Sequence, residues 1–191
     1  GNSVAFFTRP LRPEEPRLEH GYWRSERFYA LSERARSLGV PDRARLPFKA
    51  AEHALGMSGL LADLKRLSPD VIHFQWLPVP LLDRVMVPRL KRIAPVFLTV
   101  HDTGGFLNPS SRLQLKGWRS LLDSLDRLVV HLEASKRQLV ERGVAPAKIV
   151  VIPHGVLGFD ETAGAERSTP VPSPEGVKRI LLSASRDGMY V

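Results

Sequence analysis

Short runs of β-branched and aromatic residues alternate along this chain with longer stretches of helical period, and that alternation limits the possible folds more than any other feature. The runs are VAFFT (4–8), VIHFQ (71–75), VFLTV (96–100), RLVVHL (127–132), KIVVIP (148–153) and KRILLS (178–183). Several are apolar on both faces, as parallel strands covered by helices are. Between them, Phe28, Leu31, Ala35 and Leu38 recur at spacings of three and four, and so do Met57, Leu60, Leu61, Leu64 and Leu67. Leu81, Leu82, Val85 and Leu90 suggest a third amphipathic helix, and Trp118, Leu121, Leu122 and Leu125 a fourth. A fifth runs from about Ala134 to Arg142 and stops at Gly143, with Pro146 beyond it. Strand and helix in alternation predict right-handed βαβ units: an α/β, doubly wound, Rossmann-like, mostly parallel sheet with helices on both faces.

The segment 160–176, DETAGAERSTPVPSPEG, holds three prolines and little apolar content, so it reads as a linker. Residues 1–159 are then expected to form one domain. KRILLS, within 177–191, either opens a second, truncated domain or returns to the main sheet, because a strand without partners cannot be a domain.

Charge narrows the partners. The net charge is +8 and comes mostly from arginine, which favours anionic partners such as nucleotide phosphate or an acidic membrane face. The basic residues are dispersed, and the interleaving of aromatic and basic residues typical of single-strand binders is missing, so no specific nucleic acid is expected. There are no cysteines, hence neither disulfides nor thiolate chemistry. The opening GNSVAFFTRPLRP has no signal pattern, and no run of about 18 uncharged apolar residues occurs. A cytoplasmic protein is expected.

In open α/β sheets, ligands bind outside the carboxyl ends of the strands. Four predicted strands end in chemically useful residues: Gln75 and Trp76; His101 and Asp102; His131 and Glu133; His154 and Gly155. His101 and Asp102 lead into Thr103, Gly104 and Gly105, whose glycines let backbone N–H groups approach a phosphate or sugar. His101 is the leading catalytic candidate, with Asp102, Thr103, Gly104, Gly105, His131, His154 and Gly155 as substrate-binding candidates. His73 lies inside a strand and reads as a satisfied, buried imidazole. His131 has a plain alternative role, a hydrogen bond to a neighbouring strand-end carbonyl.

Other chemistries lack their signatures. HEXXH and clustered Cys/His spacings are absent, and no metal is expected. GXSXG, GXXXXGK[ST] and a GXGXXG after a strand are absent as well. Asp102 and Glu133 are the only candidates for the paired carboxylates of a glycoside hydrolase.

PDVIHFQW (69–76), VFLTVHD (96–102) and LDRLVVHLEASKRQLVERGVAPAKIVVIPHGV (125–156) together resemble the N-terminal domain of retaining, GT-B-fold glycosyltransferases of family four. The closing VIPHGV and the strand-end histidine, in that order and at that spacing, carry the resemblance. It implies transfer of a sugar from a nucleotide-sugar donor to an acceptor hydroxyl with retained configuration, the acceptor being a sugar, a lipid-linked molecule or a small molecule. The nucleotide-diphosphate sugar is a substrate, and no cofactor is implied. His101 matches the family's strand-end histidine, near the transferred sugar and the leaving phosphate. His154 and Gly155 match its hinge-side turn. Two features depart from the pattern: no glycine follows VAFFT until Gly21, and SASRDGMYV does not resemble the glycine- and lysine-containing loop expected after KRILL. With the donor half missing, this stretch alone is expected to turn over little or no nucleotide-sugar.

A second reading is a non-catalytic basic α/β module that binds an anionic surface or polymer. A peripheral transferase touching an anionic membrane at the inner face would reconcile the two. A third is an isomerase using His101 as general acid or base.

Overall fold

A computed structural model of the chain describes residues 3–11, 23–101, 103, 117–153 and 178–183. Seven strands form one sheet: β1 (Ser3–Thr8), β2 (Trp23–Glu26), β3 (Val71–Phe74), β4 (Val96–Thr99), β5 (Arg127–Val130), β6 (Ile149–Val151) and β7 (Lys178–Ser183). Their order is β2-β1-β7-β3-β4-β5-β6, and every pairing is parallel. Among the described residues, five α-helices flank it: α1 (Ala30–Ser37), α2 (Asp42–Leu67), α3 (Pro80–Leu90), α4 (Trp118–Ser124) and α5 (Glu133–Glu141). This is the α/β, Rossmann-like arrangement that the alternation predicts.

All six predicted runs are strands: the first gains Ser3, KRILLS matches in full, and the other four are shortened by one to three residues. KRILLS hydrogen-bonds to β1 on one side and β3 on the other. The linker 160–176 lies outside the described residues. β2, WRSE, carries no apolar pattern; as an edge strand it pairs with β1 alone and has less to bury.

The core is one cluster. Ile72 and Phe74 of β3, Val96 and Leu98 of β4, and Leu128 and Val130 of β5 meet Met57, Leu60 and Leu64 of α2, Val87 and Leu90 of α3, and Leu121 and Leu122 of α4. The periodicity places α2 and α4 correctly, but not the inward face of α1 or α3. Leu31, Leu38 and Val85 are exposed, whereas α1 buries Ser32 and α3 buries Asp83, Met86, Val87 and Leu90. Phe28 precedes α1 and lies on α2 at Gly56, where any Cβ would sit 2.5 Å from the phenyl ring. α5 ends as expected: Gly143 takes the left-handed conformation at φ 86°, and the Arg119 guanidinium of α4 donates to the carbonyls of Arg142 and, at 2.7 Å, Gly143.

The amino end of α1 has no cap of its own. Instead Glu52, on α2, accepts from the backbone N–H groups of Leu31 (2.7 Å) and Ser32 (2.9 Å) and from the Ser32 hydroxyl. A carboxylate at this position satisfies otherwise orphaned donors and favours the helix dipole. Glu52→Ala is therefore expected to cost about 1–2 kcal/mol, the upper half of the range for a lost cap, with Glu52→Gln losing less. Chemical denaturation of the three proteins checks this.

A second cross-link is fully sealed. The Tyr29 hydroxyl donates to His53 Nδ1 at 2.7 Å, His53 Nε2–H donates to Asp83 Oδ1 at 2.6 Å, and the Val79 N–H donates to Asp83 Oδ2 at 2.9 Å. The Tyr29 ring stacks on the imidazole at 13°. Burial, with Asp83 and Glu52 adding to it, pushes the phenol far above its ordinary range, so it stays protonated as the donor. Tyr29 sits at φ 60°, a left-handed conformation unusual for a bulky residue, and this network holds it there.

Candidate functional site

Parallel pairing brings the ends of β3, β4 and β5 together. In register, Phe74 faces Leu98 and Thr99 faces Val129, so the residues that follow, Gln75, His101 and His131, leave the sheet at one edge. His101 Nε2–H donates to the Gln75 side-chain carbonyl at 3.0 Å. That bond makes Nε2 the donor nitrogen of the ring. The Trp76 indole stacks on the same imidazole, centroids 4.8 Å apart and planes 22° from parallel. The ring is thus fixed in both tautomer and orientation by two consecutive residues of another strand end.

His131 lies next to it, ring centroids 5.4 Å apart, with Nδ1–H donating to the Ile152 carbonyl at 2.8 Å. That is the plain role the sequence allowed, and it also ties β5 to the exit of β6. His73 shares a 2.8 Å hydrogen bond with the Thr99 hydroxyl, the satisfied imidazole expected of it. Thr103 is drawn towards α5: its hydroxyl donates to the Gln138 side-chain carbonyl, and its own carbonyl accepts from the Arg142 guanidinium.

Among the expected site residues, then, His101, His131 and Thr103 lie at the carboxyl edge, with His101 and His131 in ring contact. Asp102, Gly104, Gly105, His154 and Gly155 lie outside the described residues. Glu133 is exposed at the start of α5. Sequence reasoning put Gln75 and Trp76 on the rim without giving them a role; the structure puts both against His101. Their adjacency to a strand end was visible, but contact across 26 residues was not. At the end of β1 and β2, Arg24 donates to the Thr8 hydroxyl at 3.0 Å and to the Arg9 carbonyl at 3.1 Å, and Arg9 is buried. No sequence signal marked this pair, because WRSE does not read as a strand.

Electrostatics separates the imidazoles. Burial, and then the proximity of His101, lower the pKa of His73 below the ordinary histidine value of 6.5. The unfolded chain therefore binds a proton that the folded chain refuses, and stability falls as pH drops through 6.5 towards the depressed value. Unfolding midpoints measured between neutral and mildly acid pH are expected to fall less steeply in His73→Gln than in the parent.

An imidazole clamped by an amide and an indole, beside a second imidazole, can hold a proton or a dipole at a fixed point above the sheet edge. It can also stabilise charge that develops on a ligand there. The family model of Glycosyltransferase Family 4 matches residues 1–156. No curated protein matches the chain.

Proposed function

The chain belongs to glycosyltransferase family 4, and from that premise we propose that it forms the acceptor-side part of an enzyme moving a sugar from a nucleotide-diphosphate sugar to an acceptor hydroxyl with retained configuration. In this reading residues 1–159 are the acceptor-side domain, and His101 is the residue at the reacting centre. The observation that carries the proposal is the clamping of His101 by Gln75 and Trp76 at the carboxyl edge of the sheet, where an open α/β sheet binds its ligands.

The chemistry suits such a site. Breaking a glycosyl phosphate bond builds positive charge on the sugar and negative charge on the departing diphosphate. A positioned imidazole contributes by holding a proton or a dipole against that charge, so no protein nucleophile is required. Asp102, Thr103, Gly104, Gly105, His131, His154 and Gly155 are the proposed substrate contacts, of which Thr103 and His131 lie within the described edge. The reaction is proposed to use no resident cofactor and to take place in the cytoplasm, with a sugar, lipid-linked molecule or small molecule as acceptor. Among the described residues no helix is long and apolar enough to cross a membrane, so a lipid-linked acceptor would be met at the membrane surface.

The test is to offer the natural protein that carries this chain a panel of uridine- and guanosine-diphosphate sugars with sugar and lipid-linked acceptors. Anomeric configuration of the product is then read by NMR. A product with the donor's configuration supports the proposal; transfer with inversion, or nucleotide-sugar turnover untouched by loss of the imidazole, removes it.

A further inference from the structure

α2 is apolar on two opposite sides. One stripe faces the core: Gly56, Met57, Leu60 and Leu64, with His53, are all buried. A second stripe, Ala44, Phe48, Ala51, Leu55 and Ala62, has spacings of four, three, four and seven and is exposed along its length. Phe48 is 66% exposed and Leu55 74%. They lie four residues before and three residues after Glu52, whose carboxylate holds the first turn of α1. That turn adds Leu31, itself 66% exposed. A helix needs one apolar side to join a core, and a second one facing water is unexplained by folding.

Among the described side chains of these two helices, the exposed charges are all basic. Arg34 and Arg36 on α1 and Arg43, Lys65 and Arg66 on α2 are exposed. The acids of the same two helices, among described side chains, are turned to partners: Glu52 caps α1, Asp63 pairs with Arg27 at 2.5 Å, and Glu33 approaches Arg36 at 4.0 Å. Large apolar side chains ringed by arginine and lysine match a surface that offers hydrocarbon beneath negative headgroups. Basic stems can lie along such a surface while their heads stay in water.

We propose that the outer face of α1 and α2 is a docking surface for anionic lipid, with Phe48, Leu55 and Leu31 entering the headgroup layer and the surrounding arginines and lysines meeting lipid phosphates. This extends the membrane part of the preceding reading but does not need sugar transfer to be true. The cation ring predicts steep loss of binding with salt. It also predicts about a fivefold loss of affinity for each basic side chain removed from the contact.

Co-sedimentation with vesicles tests it without donor or acceptor, so a failed transferase assay and a failed docking surface are told apart. The chain is expected to pellet with phosphatidylcholine vesicles containing phosphatidylglycerol and to stay in the supernatant with phosphatidylcholine alone. Phe48→Ser combined with Leu55→Ser, both on exposed positions, should reduce binding at least about tenfold. Arg43→Glu should reduce it as well, and Val85→Glu, at an exposed apolar position on α3, should leave it unchanged. Circular dichroism confirms that each variant is folded. Equal binding to neutral vesicles, undiminished binding of the Phe48/Leu55 variant, or equal loss in Val85→Glu would overturn the proposal. So would a parent that dimerises while the Phe48/Leu55 variant is monomeric, because a second copy would then cover this face.

Discussion

Asp83→Ala is expected to destabilise the protein by about 3–5 kcal/mol, because two hydrogen bonds to a buried carboxylate are lost and both donors are left without their acceptor. Asp83 has no solvent exposure and His53 only 1%. Truncation removes the acceptors of both the buried His53 Nε2–H and the Val79 N–H. The effect should spread beyond α3, because the same imidazole accepts from Tyr29, which is held in a left-handed conformation at the start of α1. For a chain of this size the thermal midpoint should fall by about 10 °C or more. Tyr29→Phe removes one end of the relay without orphaning a charged partner and should cost only about 1–2 kcal/mol. Equal losses in the two variants, or a negligible loss in Asp83→Ala, would mean that the network does not hold the helices together.

His101→Ala in the natural protein is expected to lower kcat about 10²–10³-fold, the usual consequence of removing one pre-aimed group that acts on developing charge. If the imidazole acts mainly in the transition state, KM changes little and kcat/KM falls with kcat. Gln75→Leu tests the clamp separately. It leaves the imidazole in place but removes the acceptor that fixes the proton on Nε2, and loss of such an orienting partner is expected to cost about tenfold. Because the tautomer would be released, nitrogen chemical shifts of His101 should move in Gln75→Leu, which a residue with only a packing role would not cause. A large rise in KM with unchanged kcat in His101→Ala would instead assign His101 to substrate binding.

The parallel sheet and the strand-end position of His101 were legible in the sequence; the order of the strands was not. Strands covered on both faces must be apolar throughout, and in a parallel sheet every carboxyl end lies at the same edge. Where burial is less complete, the pattern gave less. The edge strand WRSE left no trace, and the apolar spacing of Phe28, Leu31, Ala35 and Leu38 pointed to a buried face that the structure does not have. Both leucines of that set are on the outside, and only Phe28 is in the core.

Periodicity and strand-end chemistry, which depend only on near neighbours, are what the sequence determined by itself: an α/β chain with an imidazole at the sheet edge, to which the motifs of residues 69–156 added the resemblance to glycosyltransferase family 4. Tertiary structure alone decided which groups meet. The Gln75–His101 bond, the stacking of Trp76, and the relay from Tyr29 through His53 to Asp83 join residues separated by 24 to 30 positions. Such contacts are set by strand register and helix packing, and a hydrogen bond that needs sub-ångström placement leaves no periodic signature in the residues that make it.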